Sequence, residues 1–375
     1  MSSKIMAEFQ EVSRDRGGWL KAWKARTGQR VVGCFPMYVP EEVLHAAGLH
    51  PVILLGSEEQ PSRVDEFLHS YLCHPVRSNL DQALKGELDY LDGLVFTDIC
   101  DQAKRVGSIW GVKRPTPFLF YLMLPKRLDS PAAPAFLARE LERLRQAAED
   151  FAGKKVTAEA LKQSIALYNE TRSLLLRLFE LRRKRPGLIG AGEVSAILDA
   201  AMTMPKEEFN PHLKKFLQAS ERAKAKPGGV RLLLAGNPCE DLEPGFATVL
   251  EELGAAVVAD DLFPGNRYLF PLVQDGHPLE ALAKAHLQVA PCPTRHHPGR
   301  DWGDYLIGQA RASGAQGMVI LVQKFCEIHI FEYPDLKAKL AQAGIPHLMI
   351  ESDHSGATAR TKTRLEAFLE TIREV

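Results

Sequence analysis

The strongest constraint on the fold is an alternation of short apolar runs with helical segments. Apolar runs predict strands at residues 30–35, 51–55, 91–96 and 118–124. After Pro227-Gly228-Gly229 the pattern resumes, with predicted strands at 230–235, 255–259, 317–322 and 347–350. Strands that are joined by helices pair in parallel through right-handed crossovers. We therefore expect an α/β fold with two Rossmann-like parallel sheets.

The middle of the chain differs from its two ends. Long charged helices are predicted there, at residues 136–151, 158–184 and 193–202. We therefore expect a first α/β domain with an N-terminal helix at 1–131, a helical segment at 132–226 and a second α/β domain at 227–375. The length of 375 residues fits two or three domains of roughly 150 residues each.

Charge and hydropathy argue against several classes of partner. The 47 basic residues balance the 47 acidic ones, so no overall field attracts nucleic acid. No apolar run approaches the roughly 18 residues of a membrane helix, and the N-terminal residues lack the apolar core of a signal peptide. We therefore expect a cytoplasmic protein that binds neither nucleic acid nor a membrane. Because the cytosol keeps thiols reduced, the six cysteines should serve in metal binding, catalysis or burial.

The cysteines are sorted by their positions relative to the predicted strands, because ligands bind at the carboxyl ends of strands in an open parallel sheet. Cys100 and Cys326 each follow a predicted strand, but Cys34 and Cys239 do so as well. Cys73 precedes a helix whose N-terminal amides favour a thiolate. Position alone leaves the choice open, since the spacing gives no Cys-x-x-Cys pair, zinc pattern or ferredoxin-type run. A single cysteine usually just fills space in a core.

Several separated stretches resemble one known family. Residues 38–51 read Tyr-Val-Pro-Glu-Glu-Val-Leu-His-Ala-Ala-Gly-Leu-His-Pro, the strand at 91–96 leads into Cys100-Asp101, and residues 324–327 read Lys-Phe-Cys-Glu. These stretches are similar to motifs of the benzoyl-CoA reductase and 2-hydroxyacyl-CoA dehydratase family, and they occur in family order over nearly the whole chain. Ile328 departs from the proline that is usual in the family.

The resemblance implies a 4Fe-4S cluster that is held by three cysteines, which match Cys73, Cys100 and Cys326. The other three cysteines would then be structural. Three thiolates leave one iron without a protein ligand, and the cluster would lie in a crevice between the two α/β domains. The family also implies an acyl-CoA substrate, a homologous second cluster subunit, an ATP-hydrolysing iron–sulfur activator and a ferredoxin-type donor upstream.

Two branches of the family share these ligands. Dehydratases remove water from a 2-hydroxyacyl-CoA with one catalytic electron, whereas reductases dearomatise benzoyl-CoA with two electrons, each driven by ATP. Pro36-Met37 before Tyr38 resembles the reductase form. We therefore expect an oxidoreductase, the cluster subunit of a benzoyl-CoA reductase. The alternatives are a dehydratase subunit, which is a lyase, an electron-relay subunit whose sister binds the substrate, and a cluster-free binding protein if Cys73 is remote from the other two cysteines.

Further polar residues are candidates for catalysis at this centre. His329 and His74 lie near predicted ligands and suit proton transfer or a hydrogen bond to a cluster sulfur. Glu351, followed by Asp353 and His354, lies at a predicted strand end where acid–base groups are expected. The structural alternatives are loop anchoring for the histidines and a solvated loop for the acids.

Two groups of basic residues are candidates for binding. Arg360 and Arg364 flank the start of the last predicted helix and would suit the phosphates of CoA, although Arg364 would equally brace the fold. Arg295-His296-His297 would indicate zinc only if acids or cysteines converged there.

Overall fold

A computed structural model describes residues 2–57, 59–224, 229–239, 246–353 and 359–374, with the backbone alone at 2, 238, 239 and 247. Its strands are β1 (Val31–Phe35), β2 (His50–Ile53), β3 (Gly93–Thr97), β4 (Phe118–Leu122), β5 (Val230–Cys239), β6 (Ala255–Phe263), β7 (Gly317–Gln323) and β8 (His347–Ser352). Its α-helices are α1 (Ser2–Arg14), α2 (Arg16–Thr27), α3 (Glu41–Ala46), α4 (His74–Lys85), α5 (Asp101–Lys113), α6 (Ala133–Ala152), α7 (Ala158–Lys184), α8 (Ala191–Thr203), α9 (Lys206–Arg222), α10 (Phe246–Glu252), α11 (Pro278–Leu287), α12 (Trp302–Ser313), α13 (Glu327–Gln342) and α14 (Ala359–Arg373). No described helix is both long enough and apolar enough to cross a membrane.

The strands form two four-stranded sheets in which all neighbouring strands are parallel. The first sheet has the order β2-β1-β3-β4, and the second has the order β6-β5-β7-β8. The predicted α/β class is therefore confirmed. Because the two orders are the same, β3 and β7 occupy equivalent places, each beside the first strand of its sheet. In each sheet the connections run in opposite directions on the two sides of the gap between β1 and β3, or between β5 and β7. Parallel sheets bind ligands at the carboxyl end of such a gap.

The central strands are buried along their whole length. Every residue of β1, β3 and β7 is buried, as expected for strands of a parallel sheet that is covered on both faces. Gly236 of β5 has a φ of +136°, and a Cβ at this position would lie 1.8 Å from the carbonyl oxygen of Leu321 in β7. Only glycine can therefore occupy position 236 without moving the neighbouring strand.

The hydrophobic cores show how the helices cover the sheets. One large core combines the first sheet with the apolar stripe Leu137, Leu141 and Leu144 of α6, and it also takes in Phe270, which follows β6. The second sheet is covered by two smaller cores. Residues that follow β6 thus pack against the first sheet. The domain boundaries at 131 and 226 stay a prediction.

The acidic residues of the Val-Pro-Glu-Glu stretch form buried contacts with three other parts of the chain, so we call α3 a hub. Glu41 and Glu42 begin α3 and are 6% and 1% exposed. Glu42 forms an ion pair with Arg172 of α7. Glu41 lies 3.4 Å from Nζ of Lys206 in α9 and accepts a 2.9 Å hydrogen bond from the hydroxyl of Tyr268. Buried charges need such partners. This motif therefore ties the first sheet to the middle helices and to the segment that follows β6.

Candidate functional site

Each of the three predicted cluster ligands lies directly before a helix. Cys73 is the N-cap of α4, Cys100 the N-cap of α5 and Cys326 the N-cap of α13. The Sγ atom of Cys100 accepts a 3.4 Å hydrogen bond from the amide of Ala103. The first turn of a helix has unpaired amides and a partial positive charge. All three positions therefore favour a thiolate and an anionic group bound to it.

Cys100 and Cys326 occupy equivalent places in the two sheets. Cys100 lies three residues after Thr97, where β3 ends, and Cys326 lies three residues after Gln323, where β7 ends. A helix begins immediately after each cysteine. Each sheet thus contributes one thiol from the carboxyl end of its equivalent strand, where the topology predicts a ligand site.

The side chain of Gln102 joins the three cysteine loops. It lies two residues after Cys100, its Oε1 atom accepts a 3.1 Å hydrogen bond from the amide of Cys73, and its Nε2 atom donates to the carbonyl oxygen of Phe325 at 3.0 Å. Phe325 directly precedes Cys326 and has a φ of +67°, which is uncommon for a residue other than glycine. Cys73 is therefore not remote from the other two cysteines. A remote Cys73 was the condition for a cluster-free protein, and that condition is not met.

Burial makes these thiols costly to ionise on their own. Burial is the main reason why the pKa of Cys326 is raised to about 12, and the nearby Cys100 thiol contributes to that rise because two thiolates repel. Burial also raises the pKa of Cys100, and the amide of Ala103 opposes that shift. A bound metal removes this cost, because thiols that coordinate a metal lose their protons.

The side chains of the described residues do not converge on one metal ion. Among the described residues, no three His, Cys, Asp or Glu side chains converge as ligands of one metal ion. A zinc site needs such convergence, whereas a 4Fe-4S cluster binds its thiolates through separate iron atoms. The zinc condition for Arg295-His296-His297 is not met, since no such group of ligands forms around this segment among the described residues.

Two of the candidate catalytic residues lie beside the cysteines. Nδ1 of His329 is 3.5 Å from Sγ of Cys326, and its ring meets the ring of Trp302 edge-on at 5.2 Å. Burial lowers the pKa of His329 to about 3 and that of His74, the residue after Cys73, to about 4. Both rings are therefore neutral at pH 7, so they can exchange hydrogen bonds but carry no positive charge.

The remaining candidates lie on β8, the edge strand that pairs with β7, and on α14. Glu351 is an exposed residue of β8, and Arg360 is exposed in the first turn of α14. Arg364 donates a 2.7 Å hydrogen bond to the carbonyl oxygen of Met349 and thus braces α14 against β8. His354 lies outside the described residues. This contact of Arg364 is the bracing of the fold that was given as the alternative to phosphate binding.

A buried group next to the site was missed by the sequence analysis. Tyr38 has a φ of +68°, its hydroxyl interacts with the Cys292 thiol, and the guanidinium carbon of Arg295 lies 5.3 Å from its ring. Cys292 also raises the pKa of the Cys326 thiol, which places it close to a predicted ligand. No motif links these residues, because they lie in parts of the chain that are far apart. Tyr38 lies inside the quoted motif, and Arg295 was considered only as part of a zinc site.

The fold and the site define a class of protein. It is an α/β protein with two parallel sheets of the same strand order, in which equivalent strands bring cysteines to one place at helix N-termini. The chain belongs to the family described as 2-hydroxyglutaryl-CoA dehydratase, D-component, whose model matches residues 36–372. The resemblance that was noted from the motifs is therefore confirmed.

Relatives of known name cover almost the whole chain. The (R)-phenyllactyl-CoA dehydratase beta subunit of Clostridium sporogenes is 28% identical over 99% of both chains. A benzoyl-CoA reductase subunit of Thauera aromatica is 28% identical over 94% of both chains. The (R)-2-hydroxyglutaryl-CoA dehydratase beta subunit of Acidaminococcus fermentans is 28% identical over 99% of both chains. All three relatives are subunits of enzymes, so this chain is similar to enzyme subunits of both branches.

Proposed function

We propose that this chain is the 4Fe-4S subunit of a multi-subunit CoA-thioester enzyme, with Cys73, Cys100 and Cys326 as the cluster ligands. The observation that carries the proposal is the Gln102 side chain, which joins the loops of three cysteines that each begin a helix. When bound, a cluster of this kind supplies one-electron transfer at a potential that the surrounding protein sets.

The residues around the thiols support this role. Three helix N-termini stabilise negative charge at the thiolates. The neutral ring of His329 can donate a hydrogen bond to Cys326 without adding a charge, and a hydrogen bond to a ligand sulfur tunes the potential. Cys326 and Cys100 are only partly exposed, so the protein limits the access of water to the site.

Within the family we propose the benzoyl-CoA reductase branch, in which two electrons and two protons convert the aromatic ring to a cyclic diene. The support is the Pro36-Met37-Tyr38 sequence, together with its position. The hydroxyl of Thr97, at the end of β3, donates a 2.8 Å hydrogen bond to the carbonyl oxygen of Met37, and Tyr38 contacts Cys292. The residues that resemble the reductase therefore lie next to the proposed cluster.

A dehydratase subunit is the second candidate. It is favoured by the phenyllactyl-CoA and 2-hydroxyglutaryl-CoA dehydratase subunits, which are as similar to the chain as the reductase subunit is. In either branch the proposed partners are a homologous second cluster subunit, an ATP-hydrolysing iron–sulfur activator and a ferredoxin-type donor. A relay role, in which the sister subunit binds the acyl-CoA, is compatible with the same site.

The cluster is tested by iron and acid-labile sulfide analysis with EPR on anaerobically purified protein. We expect about four of each per chain, lost in Cys100→Ala. Cys34→Ala is the matched control, because Cys34 is fully buried inside β1 and is not a proposed ligand. A folded wild-type protein without iron would overturn the proposal.

The branch is tested on the complex with its native partner subunits, the activator, ATP and a reductant. Benzoyl-CoA and a 2-hydroxyacyl-CoA are offered separately, and the products are identified by mass. A product that gains two hydrogens from benzoyl-CoA supports the reductase, and loss of water from the 2-hydroxyacyl-CoA supports the dehydratase. A photoreactive acyl-CoA that labels only the sister subunit would identify this chain as the relay.

A further inference from the structure

Arg295 is a buried cation that lacks a carboxylate partner among the described residues. It is 3% exposed, and its guanidinium donates only to two carbonyl oxygens, those of Pro125 at 3.4 Å and His286 at 3.1 Å. Its Nη2 atom has no hydrogen-bond partner in the described part of the chain. A buried, uncompensated charge is costly. Among the described residues Arg295 feels the carboxylate of Asp98 but forms no ion pair, so a further negative charge nearby would stabilise it.

A second buried arginine lies near Arg295. Arg267 is 5% exposed, its Nη2 atom lies 2.6 Å from Oδ2 of Asp261, and its Nη1 atom has no hydrogen-bond partner within the described residues. Both guanidinium groups interact electrostatically with Cys292. We call Arg267 and Arg295 the arginine pair. Each member has one unpaired nitrogen, and the thiol of Cys292 is close to both.

The arginine pair is linked to the proposed cluster ligands by short contacts. Oδ2 of Asp261, which binds Arg267, also accepts a 2.8 Å hydrogen bond from Nε1 of Trp302. The ring of Trp302 lies against His329, whose Nδ1 atom is 3.5 Å from Cys326. Arg295 is linked to the site by a second chain of contacts, in which the amide of the next residue, His296, donates to the carbonyl oxygen of Lys126 at 2.7 Å. Lys126 in turn interacts electrostatically with the Cys100 thiol.

We propose that Arg295, assisted by Arg267, is a positioning residue that stabilises the reduced state of the cluster. This inference rests on the proposed cluster. One-electron reduction adds a negative charge to the site, and a cation that is buried in the same low-dielectric region lowers the energy of that charge. The added charge in turn compensates a guanidinium that forms no ion pair among the described residues. Arg267 contributes less, because Asp261 already offsets its charge.

The test is an anaerobic redox titration of the reconstituted wild type, Arg295→Met, Arg295→Lys and Arg231→Met, followed by EPR. Arg295→Met removes the buried charge and should lower the ratio of reduced to oxidised cluster about tenfold at a fixed potential, which is about 59 mV for one electron. Arg295→Lys keeps the charge and should stay close to wild type. Arg231 is the control cation, since it lies at the amino end of β5, whereas Cys100 and Cys326 follow the carboxyl ends of strands. Its guanidinium donates to the carbonyl oxygen of Gly314 at 2.9 Å.

The outcomes separate this inference from the proposed function. A wild type that holds no cluster would defeat the proposed function. A wild type and an Arg295→Met variant with equal iron content and equal potentials would overturn the role of Arg295 and leave the cluster intact. If Arg295→Met does not fold, Arg295→Gln, which also loses the charge but keeps a hydrogen-bond donor, gives the same comparison with Arg295→Lys.

Discussion

Nε2 of Gln102 donates a hydrogen bond to the carbonyl oxygen of Phe325 at 3.0 Å, although the two residues are 223 positions apart in the chain. Gln102 follows Cys100, which lies after β3 of the first sheet. Phe325 precedes Cys326, which lies after β7 of the second sheet. This contact therefore fixes the distance between two proposed cluster ligands. Because Gln102 also binds the amide of Cys73, one side chain sets the geometry of the whole site.

The first prediction concerns this bridge. Gln102→Ala removes two hydrogen bonds of about 1 kcal/mol each and leaves the helices intact, so we expect iron to be released to a chelator about tenfold faster. The measurement is the rate of absorbance change after an iron chelator is added under argon. Gln163→Ala is the control, because that glutamine lies on the exposed face of α7. Equal release rates in the two variants would show that the bridge does not hold the site.

The second prediction concerns the buried pair between Glu42 and Arg172. Arg172→Met leaves the carboxylate of Glu42 buried without its cation, which should lower the free energy of unfolding by about 3–5 kcal/mol. Arg177 lies on α7 like Arg172, and its ion pair with Glu221 of α9 is more exposed. Arg177→Met breaks this pair and should cost less than about 1 kcal/mol. Urea titrations followed by circular dichroism measure both values. Similar losses in the two variants would contradict the role of α3 as a hub.

The third prediction concerns pH and His50. Nε2 of His50 lies 2.8 Å from the carbonyl oxygen of Thr203, and burial lowers the pKa of this histidine to about 3. An unfolded histidine titrates near about 6.5, so between these values the unfolded state binds more protons than the folded state. Stability from His50 is therefore complete above about pH 6.5 and is lost as the pH falls toward 3. Within that window the contribution of His50 to the free energy of unfolding should change by about 1.4 kcal/mol per pH unit.

His50→Gln tests this slope, because glutamine cannot titrate. We expect the free energy of unfolding of His50→Gln to fall less steeply between about pH 6 and pH 4 than that of the wild type. His296→Gln, at an exposed histidine, should keep the wild-type slope. Parallel curves for all three proteins would show that His50 accepts a proton in the folded state.

The fourth prediction contrasts two glycines. Gly236→Ala places a methyl group 1.8 Å from the carbonyl oxygen of Leu321, so β5 and β7 must separate and the variant should melt at a clearly lower temperature or aggregate. Gly192→Ala meets no described atom within 4 Å and lies in α8, where alanine stabilises by up to about 1 kcal/mol. Differential scanning calorimetry compares the two variants. A Gly236→Ala protein with a wild-type melting temperature would contradict the close approach of these strands.

The strands could be predicted from the sequence because the central ones are apolar along their whole length. The structure places β7 at Gly317–Gln323, close to the predicted 317–322, and α7 at the predicted 158–184. The strand predicted at 255–259 extends to Phe263 instead. Asp260 and Asp261 lie beyond the predicted end of this strand, and both are buried in the sheet because Arg182 and Arg267 pair with them.

The candidate site could be predicted only where a motif marked it. Cys73, Cys100 and Cys326 were predicted through the family resemblance, and the structure brings their loops together. Gln102 was not predicted as a site residue, and Arg295 was considered only as part of a zinc site, because their partners are 223 and 170 positions away along the chain. Such contacts depend on how the two sheets meet, and local sequence patterns do not encode that arrangement.

The shared strand order of the two sheets bears on the history of the molecule. Each sheet presents one thiol, Cys100 or Cys326, from the same place in its architecture. A half-length ancestor that paired with itself would already have placed two identical sulfurs face to face. Fusion of two such halves would then have freed each copy to diverge, and a further ligand such as Cys73 could arise on one side alone. A symmetric pair of thiols between two copies of a small protein would thus account for the origin of the asymmetric set of three.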